Sequence, residues 1–422
     1  MFFEPPPTDT SKLTDEQRQL LLDQSIDENG PGTILQDFES LLTFIGVDGI
    51  QSNGKYRFFP MKSLGDINKT LTNPIQINLT RPQQKSYPNL HGLYLLLRCT
   101  GMIRVRAEGK KTWLVIDEQL HKGWILLNPT EKYFTLLNAW LLHGSNEILE
   151  GSSGIFTDLP PLFKCVRFVE SLKKNRMDST THKDLNSTLG YTIGLHHLAL
   201  LELFGIVTIL TDNSKNRREW RVVSVSSTTF GNAIMQLFSP FINQLSSSFD
   251  EVTVGTKNGT SPLMPVVQKF FPEWEKTNSV TTPENTFQDG IYVFKVTLGD
   301  VWGKIAVTGA MVFEDLSDAI LAAFGFDHEH LYQFIYRNEF GIRKCIVHPH
   351  LDEDEPATTE ISIGDLLLAP GDTMTYQYDF GDDWRFEILL EETHPLNDNL
   401  KDPEIIELYG KPPEQYTAVD DW

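Results

Sequence analysis

Hydrophobic positions along this chain change their spacing near residue 290. Before it they recur mostly at helical intervals, and after it they alternate. A first helix is predicted from Thr14, with Asp15 and Glu16 in its first turn and Leu20, Leu21 and Leu22 further in. The run ENGPG at 28–32 breaks it. A second helix is predicted from Thr33 to Ile45. Leu35, Phe38, Leu42 and Ile45 share one face, and Gly46 ends it. Met61 to Leu71 reads as a third. Residues 1–13, with Pro5, Pro6 and Pro7, read as a flexible tail.

One pattern then occurs twice, at 92–116 and at 198–223. Each copy has an apolar helix, a glycine (Gly101, Gly205), an apolar pair (Met102-Ile103, Ile206-Val207) and a strand. Each continues with a polar, basic loop, a tryptophan (Trp113, Trp220) and a second strand. A helix followed by a two-stranded hairpin is how a winged-helix domain ends. The loop is the wing, and Lys110, Lys111, Lys215, Arg217 and Arg218 are the residues placed to touch phosphate. The helices before the wings, LYLLLRCT and LHHLALLELFG, are too apolar to present a long polar reading face. Contact with DNA and packing against protein both remain open at this point. A helix is expected around 229–238, and residues 251–289 read as a linker holding one short amphipathic helix, PLMPVVQKFFPEWEK.

Beyond 290 the periodicity is that of strands. YVFKVTLG (292–299) and VWGKIAV (301–307) form a predicted hairpin over Gly299-Asp300. A helix is expected at 315–324, with Leu316, Ile320 and Phe324 on one face and Gly325 as its stop. Strands are expected in 331–337, 343–349, 374–380 and from Trp384 onward, with a short helix at 362–368. The predicted fold class is α+β, with helical, winged-helix-like N-terminal modules before an antiparallel α+β domain. Its parts are a module over 14–125, a second over 126–250, the linker 251–289 and a C-terminal domain over 290–422.

Composition adds a division of charge. The chain has 422 residues, enough for about three domains, and its 40% apolar and 22% charged content is that of a globular protein. Residues 286–422 hold 28 acidic and 8 basic side chains, so they carry a net −20 of the total −21. Residues 55–122 run the other way, with 12 basic against 4 acidic. An acidic C-terminal part repels nucleic acid, and the basic stretch attracts it or is simply a solvated surface. Cys99, Cys165 and Cys345 are scattered and odd in number. They give no disulfide framework or CxxC metal pattern, which favours a reducing cytoplasm. No signal peptide is read at MFFEPPPTDT. The most apolar stretch, 195–211, is shorter than a membrane span and contains His196, His197 and Glu202. A cytoplasmic protein without membrane contact is expected.

YQYDFGDDW (376–384) followed by FEILLE (386–391) resembles the signature of the Ri-plasmid open-reading-frame-three family. Some of its relatives are labelled insertion-element passenger or TnpR-like proteins. KVTLGDVW (295–302), AAFGFDHEHLYQF (322–334), SIGDLLLAPGD (362–372) and KPPEQY (411–416) extend the resemblance across about 290–416. It implies an α+β domain of no established activity in a mobile-element setting. The chain departs from the family at three places. Gly303 and Lys304 stand where arginines are usual, Phe386 where histidine is frequent, and Lys411 where cysteine often precedes Pro-Pro-Glu.

The candidate site residues are His330, Tyr376, Tyr378, Asp379, Asp382 and Trp384. His328 with His330, and His348 with His350, form two H-x-H pairs. If their strands are neighbours, imidazoles and the carboxylates of Asp379, Asp382 and Asp383 converge on a metal. A metal-dependent hydrolase using His330, Asp379 and Asp382 is the enzymatic reading. The competing one has Asp379 and Asp382 fixing the DFGD turn through bonds to backbone amides, with His330 packed inside. Tyr376, Tyr378, Phe380 and Trp384 line a small-ligand pocket or form the core of a sheet face. The acidic loop Asp352–Glu355 is a solvated loop or a contact for a basic partner. No phosphate-binding glycine loop or nucleophile elbow is present, and Ser171 with Lys174 matches S-x-x-K without the rest of that machinery. No cofactor is expected. The favoured function is a binding or regulatory module. Its N-terminal modules contact DNA or protein, and its acidic domain binds a basic protein or a small ligand.

Overall fold

The computed structural model describes residues 13–54, 56–108, 111–142, 144, 161–174, 177–180, 184–212, 218–245, 261, 263–275, 287–337, 343–351, 355–366, 368–396 and 400–416. The expected tail at 1–13 therefore lies outside them except for Leu13. The chain divides into two compact units. One comprises residues 1–53, 58–104 and 114–282, the other 54–57, 105–113 and 283–422. The fold is α+β, as the periodicity predicts.

The first unit opens on the helix Asp15–Asp23. Thr14 caps it, accepting from the Gln17 amide while the Gln17 side chain accepts from the Thr14 amide. The same order of elements then occurs twice. In the first copy the helix Ile34–Ile45 leads to β1 (Ile50–Gln51). The helices Met61–Thr70 and Pro88–Cys99 follow, then β2 (Ile103–Glu108) and β3 (Lys111–Ile116), of which residues 105–113 count with the second unit. In the second the helix Pro161–Lys174 leads to β4 (Met177–Asp178). The helices Leu185–Thr192 and Leu195–Leu203 follow, then β5 (Val207–Thr211) and β6 (Val222–Ser227). The sheets match as well, with orders β1-β3-β2 and β4-β6-β5. The repeat read in the sequence is thus a repeat of topology.

The two repeats meet through their third helices, Pro88–Cys99 and Leu195–Leu203. Every residue of the first is buried. A Cβ on Gly92 would stand 3.0 Å from the His196 carbonyl oxygen and 3.0 Å from Leu200 Cγ, so glycine lets the two backbones approach. A helix apolar all round must be covered on all sides, and here each covers the other. Trp140, from the helix Pro129–Leu141, stacks on His197 and Phe204 behind this contact.

Part of the segment read as linker belongs to this core. Leu263, Val267, Phe271 and Trp274 are buried, and Trp274 stacks on Phe134 at 4.9 Å. Each such side chain contributes about 2–3 kcal/mol by burial, which holds 263–275 in place. The predicted amphipathic helix here shortens to Met264–Val267, because Pro272 follows within a few residues.

Beyond residue 283 the described residues of the second unit form one antiparallel sheet of seven strands. They are β7 (Ile291–Leu298), β8 (Val301–Thr308), β9 (Tyr332–Arg337), β10 (Arg343–Val347), β11 (Thr373–Tyr378), β12 (Trp384–His394) and β13 (Glu404–Tyr409). Their order is β10-β9-β11-β12-β7-β8-β13. Phe294, Ile305, Phe334, Tyr376, Phe386 and Ile388 occupy alternate positions and share one buried face with the helix Phe313–Phe324. That helix begins two residues before its predicted start, on Asp315 bonding back to the Val312 amide. It ends at Gly325, which has φ +73°. The predicted helix at 362–368 is a single 3₁₀ turn, Ile363–Asp365.

Candidate functional site

The signature segment places its residues on both sides of a tight turn. β11 ends at Tyr378, β12 begins at Trp384, and the two pair opposite each other. Asp379 and Asp383 both sit at positive φ, 55° and 54°, a conformation that Asp tolerates better than most residues. The Asp379 carboxylate pins the turn. Its Oδ1 accepts from the amides of Gly381 at 2.9 Å and Asp382 at 3.4 Å. The turn-fixing role expected for Asp379 is present. Asp382 contributes its amide, and its own side chain is exposed.

His330 is half-buried, which corrects the expectation of a packed interior histidine. It stands just before β9, at the turn end of the sheet, where its ring reaches out over the turn. Nδ1 lies 3.4 Å from Asp379 Oδ2, and Nε2 lies 2.9 Å from the Tyr416 hydroxyl. Tyr416 in turn donates to Asp327 Oδ2. Asp327 Oδ1 accepts from Tyr378 at 2.8 Å and from Gln415 Nε2 at 3.0 Å, while the Asp327 amide donates to Gln415 Oε1 at 2.7 Å. One network therefore joins the segment after the helix Phe313–Phe324, the signature turn and the segment 411–416.

These bonds set the charge state of the site. The Tyr416 hydroxyl, followed by Gln415 and Tyr378, holds the Asp327 carboxyl well below the usual carboxylate range. The same bond pushes the Tyr416 phenol up to about 12, because a phenolate beside an anion is disfavoured. Tyr416 is thus a fixed donor to Asp327 rather than an activated nucleophile. Tyr378 is raised by burial and by Asp327.

The other candidates have structural places. Tyr376 is fully buried, and its hydroxyl pairs with Ser317 at 2.7 Å. Trp384 is half-buried and meets Phe326 edge-on at 5.1 Å, with its Nε1 enclosed and without a partner among the described residues. Both are part of the packed face of the sheet. Phe380 is exposed. Nor do the H-x-H pairs converge. His328 lies 3.2 Å from Asp318, and His348 packs on Tyr332 and His350. Among the described residues no three His, Cys, Asp or Glu side chains are arranged to hold a metal ion. Of the residues expected on the wings, Lys111 and Arg218 are exposed, while Lys110, Lys215 and Arg217 lie outside the described residues. So do Asp352, Glu353 and Asp354 of the acidic loop. Ser171 bonds its own helix at the Phe168 carbonyl, 2.6 Å away, as an ordinary helical serine does.

Asp327, Gln415 and Tyr416 are the site residues missed from the sequence. Two of the matching segments carry them, but nothing local in either segment points to the other. If the network fastens 411–416, Tyr416→Phe should release it. Amide exchange is expected to accelerate across 411–416 but not in β11 and β12, with the Asp327 carboxyl moving back up toward its ordinary range. Unchanged protection of that segment would contradict this.

Residues 290–421 match the family model described as plasmid pRiA4b ORF-3-like protein, which bears out the resemblance for the C-terminal domain. A crystal structure of a protein of unknown function from Methanosarcina mazei Go1 is 22% identical. The match covers 29% of this chain and 71% of that one, with a TM-score of 0.27. No curated protein matches the chain. No helix among the described residues is long and apolar enough to cross a membrane.

Proposed function

We propose that this protein is a binding module whose plasmid ORF-3-like acidic domain takes up a basic protein partner and whose two winged-helix modules pack on each other. The observation that carries this is the burial of the third helix of each repeat. In a winged helix that reads DNA, this helix enters the major groove. Here Pro88–Cys99 is buried along its whole length against Leu195–Leu203. The helix pair is a packing device, and any phosphate contact is left to the wing tips. The net −20 of residues 286–422 opposes such contact and favours a cationic partner. The signature network supports the same reading, since its hydroxyls and carboxylates are engaged with one another and hold a turn and a terminal segment in place.

The 422-residue chain should bind a lysine-rich peptide, with affinity falling as salt rises, and should not retain duplex DNA at low salt. Tight DNA binding with a steep salt dependence would overturn the proposal, as would indifference to the cationic peptide.

A further inference from the structure

Among the described residues the seven-stranded sheet ends on β13, and this edge is unusual. All six of its residues are exposed. Ile405 is 42% accessible, Ile406 53%, Leu408 45% and Tyr409 61%. Free edges are ordinarily blunted by lysine, proline or a covering element, because their unpaired amides and carbonyls accept another strand. The opposite edge follows that rule. β10 carries Arg343 and Lys344, and its last residue is bridged to Ala357. β13 contains no cation and no proline.

Its register sorts its side chains. Glu404, Glu407 and Tyr409 stand opposite Ala306, Lys304 and Trp302, whereas Ile405 and Leu408 stand opposite Ile305 and Gly303. The register shift between Ile405 and Glu407 makes this possible, by absorbing Ile406 so that both glutamates fall on one side. One side of the edge is therefore acidic, with Tyr409 stacked on Trp302 at 5.6 Å. The other is aliphatic and continues the face that carries the core.

We infer that β13 is a docking edge for an extended basic segment of a partner protein, which adds as an eighth strand with lysine or arginine alternating with aliphatic residues. Main-chain bonds supply the affinity in strand addition, and alternate side chains supply the specificity. Cations of the incoming strand would face Glu404 and Glu407, and its aliphatic positions would extend the row of Ile405 and Leu408. The glutamates select against a second copy of this chain, which would bring another net −20 domain to the same edge. This rests on the basic-partner reading above and narrows it to one edge and one backbone conformation.

The test uses the full chain and two short peptides of equal charge, one alternating lysine with valine and one alternating lysine with proline. Fluorescence anisotropy should show the lysine–valine peptide binding about tenfold tighter, because proline cannot complete the ladder. Ile406→Pro should remove that preference, and so should Glu404→Lys combined with Glu407→Lys, each with an unchanged near-ultraviolet circular dichroism spectrum. If both peptides bind equally and Ile406→Pro has no effect, strand addition at β13 is wrong while the basic-partner reading survives. If neither binds, both fall. A wild-type dimer that Ile406→Pro dissociates would identify a second copy as the occupant and overturn the inference.

Discussion

Gly231→Ala is expected to destabilise the first unit by about 3 kcal/mol, although alanine is the better helix former. Gly231 lies in the first turn of the helix Thr229–Leu245, directly after the second hairpin. A Cβ there would stand 2.0 Å from the Ile206 carbonyl oxygen and 2.7 Å from its Cα. The obstacle is backbone, which cannot swing aside as a side-chain tip does. That backbone is also held from both ends. Thr228 Oγ1 donates to the Gly205 carbonyl at 2.7 Å and accepts from the Gly231 amide at 2.8 Å. The helical gain from Gly to Ala is at most about 1 kcal/mol, so the clash decides the sign.

Gly190 supplies the contrast. It is exposed in the helix Leu185–Thr192, and a Cβ there meets nothing within 4 Å. Gly190→Ala should therefore stabilise by up to about 1 kcal/mol. Urea unfolding followed by tryptophan fluorescence reads both, with the two units treated as separate transitions. A Gly231→Ala protein as stable as wild type would mean that this helix does not start on Ile206.

Most of the secondary structure was legible because period and punctuation agree. Leu316, Ile320 and Phe324 mark a helical face that Gly325 ends, and the alternation in 292–299 marks a half-buried strand. The doubled helix-and-hairpin pattern was legible for the same reason. What the sequence hid is nonlocal. Tyr416 bonds Asp327 across 89 positions, and no periodicity records that pairing. β13 escaped because EIIELY carries a bulge, which spoils strict alternation. The metal reading of His330, Asp379 and Asp382 rested on their strands being neighbours, and β10, β9 and β11 are adjacent in the sheet. In the fold, Asp379 spends Oδ1 on the turn and Asp382 points to solvent, so the types are present without convergence. The apolar helices before the two hairpins did carry their message, because a helix without a polar face is a buried helix.

The same buried contact makes the first unit acid-sensitive. His91 from one repeat and His196 and His197 from the other lie together, with ring centres 5.8 Å and 4.2 Å apart. Trp140 Nε1 donates to His197 Nδ1 at 2.9 Å, so that nitrogen must keep its lone pair. Protonating it would set one N–H against another. His196 Nε2 is enclosed, with no partner among the described residues. Burial lowers His91 and His197 well below 6.5, with His196 adding to each and then Lys85 to the first and Lys164 to the second, and burial with Lys85 and Lys164 pushes His196 down to about 4. A depressed histidine pKa means the fold favours the neutral ring. This stability is complete above pH 6.5 and is lost as pH falls from there toward 4. One imidazole that must stay neutral costs about 2 kcal/mol by pH 5. The melting temperature of the first unit should therefore drop by roughly 5 °C or more between pH 7 and pH 5. The Asp327 network acts in another window. A depressed carboxylate keeps its contribution until pH falls below its ordinary value of 3.8, so the second unit should hold where the first has weakened. His196→Leu removes the imidazole whose Nε2 has no partner, and should lessen the dependence while His91 and His197 keep their share. Equal melting temperatures at the two pH values in the unsubstituted protein would show that these rings are not enclosed between the helices.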